Sequence, residues 1–285
     1  MRTSSPLRYP GGKAALAGLI RSVRRLNGLG HRTIAEPFGG GAGASLSLLA
    51  LEEVSEIYIN DADPAIYDLW WAITQRPQKF ADLIERTPLT MREWRRQRGI
   101  YRSTRTTSRL RRGFAAFYLN RCNRSGIIVN GGPIGGIEQK GKWKLDARFN
   151  RVDLRERCRK IAQFGSRIAV SCEDGLEFID RLDSARTFFF IDPPYFEKGP
   201  TLYLNTLKAS YHKSLANRLM DMRDASWVLT YDDCPQVRSL YKGWAAIRPF
   251  SLRYAAAERR GGRELLITPK GMYLPRWQPS EAIGW

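Results

Sequence analysis

The chain has 285 residues, 43% of them hydrophobic and 26% charged, a globular composition sufficient for one large domain or two unequal ones. Its 47 Lys and Arg against 28 Asp and Glu leave a formal charge of +19, which favours a polyanionic partner, most simply nucleic acid. The sequence has no apolar run of about 18 residues and no amphipathic basic terminus, so a membrane partner is disfavoured.

In chain order, Arg32–Pro37 reads as a first strand, followed by the turn Phe38-Gly39-Gly40-Gly41-Ala42-Gly43 and a helix from Ala44 to Glu52. A second strand, Glu56–Asn60, ends at Asp61-Ala62-Asp63, and Pro64 opens a helix as a first-turn residue. Between Arg76 and Arg159 lie 22 Lys and Arg against 7 Asp and Glu, so most of the excess charge sits in one insert. Met91 to Arg112 reads as a polar, arginine-rich helix, Gly113 to Asn123 as apolar and aromatic, and Asn130 to Gly141 as a glycine-dominated loop or hairpin. A merely solvated face would mix both signs of charge, so the insert is expected to meet phosphates and base edges.

After the insert come a strand from Arg167 to Cys172, a short helix, the strand Thr187–Ile191, a helix from His212 to Arg223 and a strand from Trp227 to Tyr231. Two last strands, Ala246–Phe250 and Glu264–Thr268, are expected as an antiparallel edge. Strands alternating with helices predict an α/β fold, a doubly wound, mostly parallel sheet. The implied division is 1–75 and 160–285 as one sheet domain, with 76–159 a mainly helical, basic insert. Cys122, Cys158, Cys172 and Cys234 form no C-x-x-C pair and only His31 and His212 are present, so no metal is expected. Without an apolar leader at the N-terminus, a reducing cytoplasm is the expected location.

The most specific chemistry stands after the strand Thr187–Ile191, which ends abruptly in Asp192-Pro193-Pro194-Tyr195. Open α/β sheets place ligands at the carboxyl ends of strands. There a carboxylate and a carbonyl, both pure acceptors, can take the two hydrogens of an exocyclic amino group, and Tyr195 offers a face to a base. A strand capped by an ordinary Asp-Pro turn is the plainer alternative. Gly39-x-Gly41-x-x-Ala44 after a strand, with Asp61 ending the next one, suits either a nicotinamide dinucleotide or an adenosyl group; no Gly-Lys-Ser/Thr follows, so a P-loop is not implied. His212 has no visible proton-transfer partner and is read as structural.

Taken together and in order, these segments resemble the Dam-type adenine-specific DNA methyltransferases. The match runs from Leu7-Arg8-Tyr9-Pro10-Gly11-Gly12-Lys13 through Glu36-Pro37-Phe38 and its glycine turn, Asp61, and the segment Phe117–Gly126. It continues through Asp192–Tyr195 to Gly262–Ile267, nearly the whole chain. The resemblance implies a Rossmann-like methyltransferase fold and S-adenosyl-L-methionine as cofactor. It implies cofactor binding by Tyr9, Lys13, Glu36, Phe38, Gly39, Gly41, Gly43, Asp61, Asp174 and Asp192, with catalysis by Asp192, Pro193, Pro194 and Tyr195. Phe196 or Tyr203 would complete a clamp on a flipped adenine. Double-stranded DNA is the implied partner, met by Arg121, Asn123 and Arg124, in a nucleoid-associated location. Gly131–Gly136 departs from the shorter hairpin of the family's namesake, so no recognition sequence carries over. A cognate restriction enzyme and the oligomeric state stay open. The rival readings are an RNA adenine or cytosine-N4 methyltransferase, a catalytically silent DNA-binding regulator, and a nicotinamide-dependent oxidoreductase.

Overall fold

The computed structural model describes residues 5–8, 13–30, 32–103, 108–196, 207–222, 224–252 and 262–276. A 3-10 turn at Lys13–Leu16 leads into α1 (Ala17–Leu26), then β1 (Thr33–Glu36), α2 (Gly43–Ala50), β2 (Ile57–Asn60) and α3 (Pro64–Gln75). Asp63 caps α3 by accepting from the Ala65 N–H, and Pro64 takes the first position, where its missing donor costs nothing. The insert then contributes α4 (Pro77–Arg86), α5 (Met91–Arg102), α6 (Arg109–Cys122) and α7 (Arg151–Gln163). Thr90, Ser108 and Asn150 cap the last three through their side chains. The chain returns as β3 (Ile168–Ser171), α8 (Gly175–Arg181), β4 (Thr187–Ile191), α9 (Ala209–Asp221), β5 (Ser226–Asp232), α10 (Pro235–Tyr241), β6 (Ala245–Leu252) and β7 (Gly262–Pro269).

The seven strands form one sheet in the order β3-β2-β1-β4-β5-β7-β6. The first five are parallel, and β7 runs antiparallel to both β5 and β6. The last two strands therefore form the expected antiparallel edge, in which the inner strand β7 is reversed and the outer strand β6 runs with the parallel set.

Successive residues of each strand face opposite sides, and the two cores divide accordingly. Ile34, Phe188, Phe190, Val228 and Leu266 join the core built with α1 to α3. Ala35, Phe189, Ile191, Leu229, Leu265 and Ile267 join the other, with Phe178 of α8, Leu215 of α9 and Tyr241 of α10. A sheet covered on both faces explains why β4 is an unbroken apolar run.

The long arginine-rich helix expected from Met91 to Arg112 is two helices. α5 stops at Arg102, with Ser103 extended. α6 then runs from Arg109 through the apolar segment to Cys122. The glycine-rich stretch after it stays non-helical, as expected. α6 lies against α3 at Gly113, where a Cβ would come within 2.5 Å of the Asp68 main chain. Phe80, Trp94, Phe114 and Phe117 of the insert belong to the same core as β1 and β2, so the insert is packed onto the sheet domain through a continuous apolar interior.

Candidate active site and nucleic-acid interface

Because β1 to β5 are parallel, their carboxyl ends share one edge of the sheet, and Glu36, Asp61, Asp192 and Asp232 gather there. The reversal of β7 brings its start to the same edge, with Glu264 paired in register with Asp232.

Asp192 stands one residue beyond β4, partly exposed at 23%. Its Oδ1 accepts from the Thr230 hydroxyl at 2.6 Å and lies 3.3 Å from the Lys13 Nζ. Oδ2 accepts no hydrogen bond among the described residues. The buried Lys13 ammonium also donates to the Tyr195 hydroxyl at 2.6 Å and lies 3.6 Å from Glu264 Oε2. One cation thus ties three groups from β4 and β7 together. Burial, with Asp192 nearby, pushes the Glu264 carboxyl up to about 7 against the opposing pull of Lys13. Glu36 at the end of β1 is also buried. Its Oε1 accepts from the Ser45 N–H at the start of α2, and burial, with a smaller contribution from Asp192, raises it to about 7. Lys13, expected at the cofactor, is thus seated on the tetrapeptide itself, while Thr230 and Glu264 are site residues the sequence did not single out.

The second half of the site lies at the ends of β2 and β3. Asp61 accepts one main-chain N–H on each oxygen, from Gly40 at 2.9 Å and Asp63 at 2.9 Å. Burial and then Asp63 raise its carboxyl to about 7. Gly40 adopts φ +44°, a conformation glycine reaches without strain, and so turns its N–H to Asp61. Among the glycines expected to shape the pocket, Gly39 and Gly43 are demanded by protein packing, since a Cβ would meet Ile59 at 2.4 Å or Ala14 at 3.0 Å. Gly41 stays half-buried at the turn. The Phe38 ring covers Gly175 and meets Tyr211 edge to face. Asp174 caps α8, its Oδ1 accepting from the Leu176 N–H and the Tyr211 hydroxyl. Tyr101 reaches in from α5 and donates to Asp63 Oδ2 at 2.7 Å.

The three residues expected on DNA separate sharply. Arg124 is exposed. Asn123 is fully buried, its amide accepting from the Trp94 indole at 2.7 Å and donating to the Ile127 carbonyl at 2.7 Å. Arg121 donates to the main-chain carbonyls of Arg148 and Pro6. Asn123 and Arg121 thus hold the end of α6 and the N-terminal segment in this structure. Asn120 adds to this hold by bonding Arg8 through both its N–H and its carbonyl.

Tyr9 and Tyr203 lie outside the described residues. Phe196 is half-buried, packs on His212 with ring centroids 4.9 Å apart, and its N–H bonds Asp232. His212 is 1% exposed and bonded to the Tyr231 hydroxyl, the structural role expected of it.

No group of three or more His, Cys, Asp or Glu among the described residues could hold a metal ion, and no described helix is long and apolar enough to cross a membrane.

No curated protein sequence matches the chain. Similar solved structures include a conserved hypothetical protein of Streptococcus pyogenes, 10% identical over 85% of this chain and 88% of that one, with a TM-score of 0.34. Another is the rRNA methyltransferase aviRa from Streptomyces viridochromogenes, 18% identical over 91% of this chain and 86% of that one, with a TM-score of 0.38. At these TM-scores neither superposes closely enough to carry over a site. The sequence itself is decisive, because the profile of one family matches residues 9–256 and so takes in both halves of the site, the insert and most of the sheet. The nicotinamide-dependent reading falls with that match, and the chain belongs to the D12 class of N6 adenine-specific DNA methyltransferases.

Proposed function

We propose that this chain transfers a methyl group from S-adenosylmethionine to the N6 amino group of an adenine flipped out of double-stranded DNA, with Asp192–Tyr195 as the reacting centre. The observation that carries this reading is the asymmetry of Asp192: Oδ1 is anchored by Thr230 and Lys13, and Oδ2 accepts no hydrogen bond among the described residues.

The pocket residues suit the cofactor. Each oxygen of Asp61 uses one lone pair on a main-chain N–H, leaving acceptor capacity for two ribose hydroxyls. Glu36 is a buried carboxyl whose burden would be relieved by an ammonium such as that of a bound amino acid. Phe38 offers an apolar wall for a purine beside Asp174. Bound there, S-adenosylmethionine supplies a methyl group already activated by its sulfonium, so the protein need not provide a strong base.

The protein's contribution is then position and charge. Asp192 Oδ2 and the Pro193 carbonyl accept the two amino hydrogens, holding the nitrogen in line and drawing electron density onto it. Tyr195, tethered through its hydroxyl by Lys13, stacks on the base, while Pro194 blocks continuation of the strand. With the cofactor bound, the N–CH3 bond would form at the expense of its S–CH3 bond, whose electron pair stays on sulfur as a neutral thioether, and the positive charge developing on N6 would be stabilised by the Asp192 carboxylate, which can take up the proton that N6 then loses. Orientation alone can be worth on the order of 7–11 kcal/mol of barrier. The basic segment 76–159 serves as the target-recognition insert, with Arg124 at its exposed loop, and the reaction belongs in the nucleoid-bearing cytoplasm.

Thermal melting tests the cofactor: S-adenosylmethionine should raise Tm and NAD should not. Protection by NAD, or by neither, would overturn the cofactor assignment.

A further inference from the structure

Helix α5 has two unlike faces. At 3.6 residues per turn, Glu93, Trp94, Gln97 and Tyr101 point inward, and the first three are buried. Trp94 bonds Asn123 next to Arg124, and Tyr101 bonds Asp63 beside the cofactor pocket, so both ends of the inner face are fastened to the site. The outer face carries Arg92, Arg95, Arg96, Gly99 and Arg102, all exposed. Gly99 sits at its centre, ringed by Arg95, Arg96 and Arg102 at the i−4, i−3 and i+3 positions.

Fold stability accounts for neither feature. Glycine is, after proline, the least favourable residue inside a helix, and a Cβ at Gly99 would meet nothing within 4 Å. Its backbone is ordinary helix without positive φ. Arg92 and Arg95 stand near the start of the helix, where the macrodipole disfavours cations. Among the described residues Arg92, Arg95 and Arg102 pair with no carboxylate, and Arg96 alone of the set has one, Glu93 at 2.9 Å.

We propose that the outer face of α5 is a seat for the sugar-phosphate backbone of double-stranded DNA, with Gly99 left bare so that a strand lies directly on the helix while Arg92, Arg95 and Arg102 close around its phosphates. This rests on the reading of the chain as a DNA methyltransferase and adds the surface along which the duplex runs. From Arg92 to Arg102 the helix rises about 15 Å, matching four to five phosphates of one strand at ~3.4 Å of axis each.

The test is binding of a random-sequence DNA duplex by the full chain over a series of KCl concentrations, with methyl transfer to plasmid DNA measured alongside. The combined change Arg92→Ala, Arg95→Ala and Arg102→Ala should shallow the log–log salt slope by about three, one per lost phosphate contact. Gly99→Ala should raise Tm, because alanine is the better helix former, yet weaken duplex binding several-fold. Slopes and affinities equal to wild type in both variants would overturn the seat, as would tighter binding of an RNA duplex with the same slope change. If wild type methylates adenine while the variants keep its salt slope, the seat fails and the reaction stands. If the slope changes as expected but wild type transfers no methyl, the seat stands and the reaction reading fails.

Discussion

The ammonium of Lys13 lies 3.3 Å from Asp192 Oδ1, joining the first motif of the chain to the one that follows β4. Because the same nitrogen holds the Tyr195 hydroxyl and lies near Glu264, its removal would take away one tie on the ring and leave two neighbouring carboxyls without a cation between them. Lys13→Met is expected to slow single-turnover methyl transfer about 100-fold, the scale of losing one preorganised electrostatic partner. Duplex affinity should stay within about twofold of wild type, since Lys13 is buried away from the basic insert. An unchanged rate would show that the Lys13 contact is incidental.

Thr230 anchors the other side of the same oxygen. Thr230→Val keeps the shape and removes the hydroxyl, so transfer should slow about tenfold, equivalent to one hydrogen bond to a charged group at about 1.5 kcal/mol. The split between kinetic constants is the readout: kcat falls and KM for the cofactor holds. A rise in KM with kcat intact would move Thr230 to the cofactor side.

Tyr101 supports Asp61, the carboxylate proposed to hold the ribose, at one remove, through Asp63 and its N–H to Asp61. Tyr101→Phe should weaken S-adenosylmethionine binding roughly threefold to tenfold by calorimetry while leaving kcat at saturation unchanged, as loss of one net hydrogen bond of about 1 kcal/mol requires. Unaltered affinity would make the contact purely a docking bond of the insert.

Glu36 gives a dependence on pH with a definite sign. Its folded value is raised from 4.5 to about 7, so between those limits the folded chain holds a proton that the unfolded chain has lost. That contribution is largest below pH ~4.5, declines as pH rises, and is fully lost above pH ~7. Glu36→Gln, which never ionises, should therefore melt near wild type in acid and above it beyond pH ~7 when no cofactor is present. Melting curves across this range check it. A constant offset between the two proteins would contradict a raised Glu36. With S-adenosylmethionine present the order should reverse, because glutamine cannot pair with the cofactor's ammonium.

The sheet was legible because its signals are local. An apolar run as compact as Thr187–Ile191, stopped by two prolines, reads as a buried strand, and β4 is buried along its whole length. The glycine turn between β1 and α2 was legible for the same reason. What sequence alone missed depends on contacts between distant segments. Thr230 looks like any polar residue in a strand until β4 and β5 pair, and Glu264 joins the site only because β7 inserts in reverse beside β5. Arg121, Asn123 and Arg124 look equally suited to DNA in a linear reading. Their different fates follow from how the end of α6 packs, with Asn123 turned to Trp94 and Arg121 turned to the N-terminal segment. The expected single arginine helix is two because the chain is extended at Ser103 and Ser108 caps a new helix.

The measurement that bears most directly on the central claim is nucleoside mass spectrometry of unmethylated plasmid DNA incubated with S-adenosylmethionine and either wild type or Asp192→Ala. N6-methyladenine formed by wild type and absent with Asp192→Ala, while both proteins bind duplex DNA equally, is the result expected if Asp192 holds the reacting amino group. N6-methyladenine formed at the same rate by both proteins, or no methylated base from a wild type that binds cofactor and DNA, would contradict it.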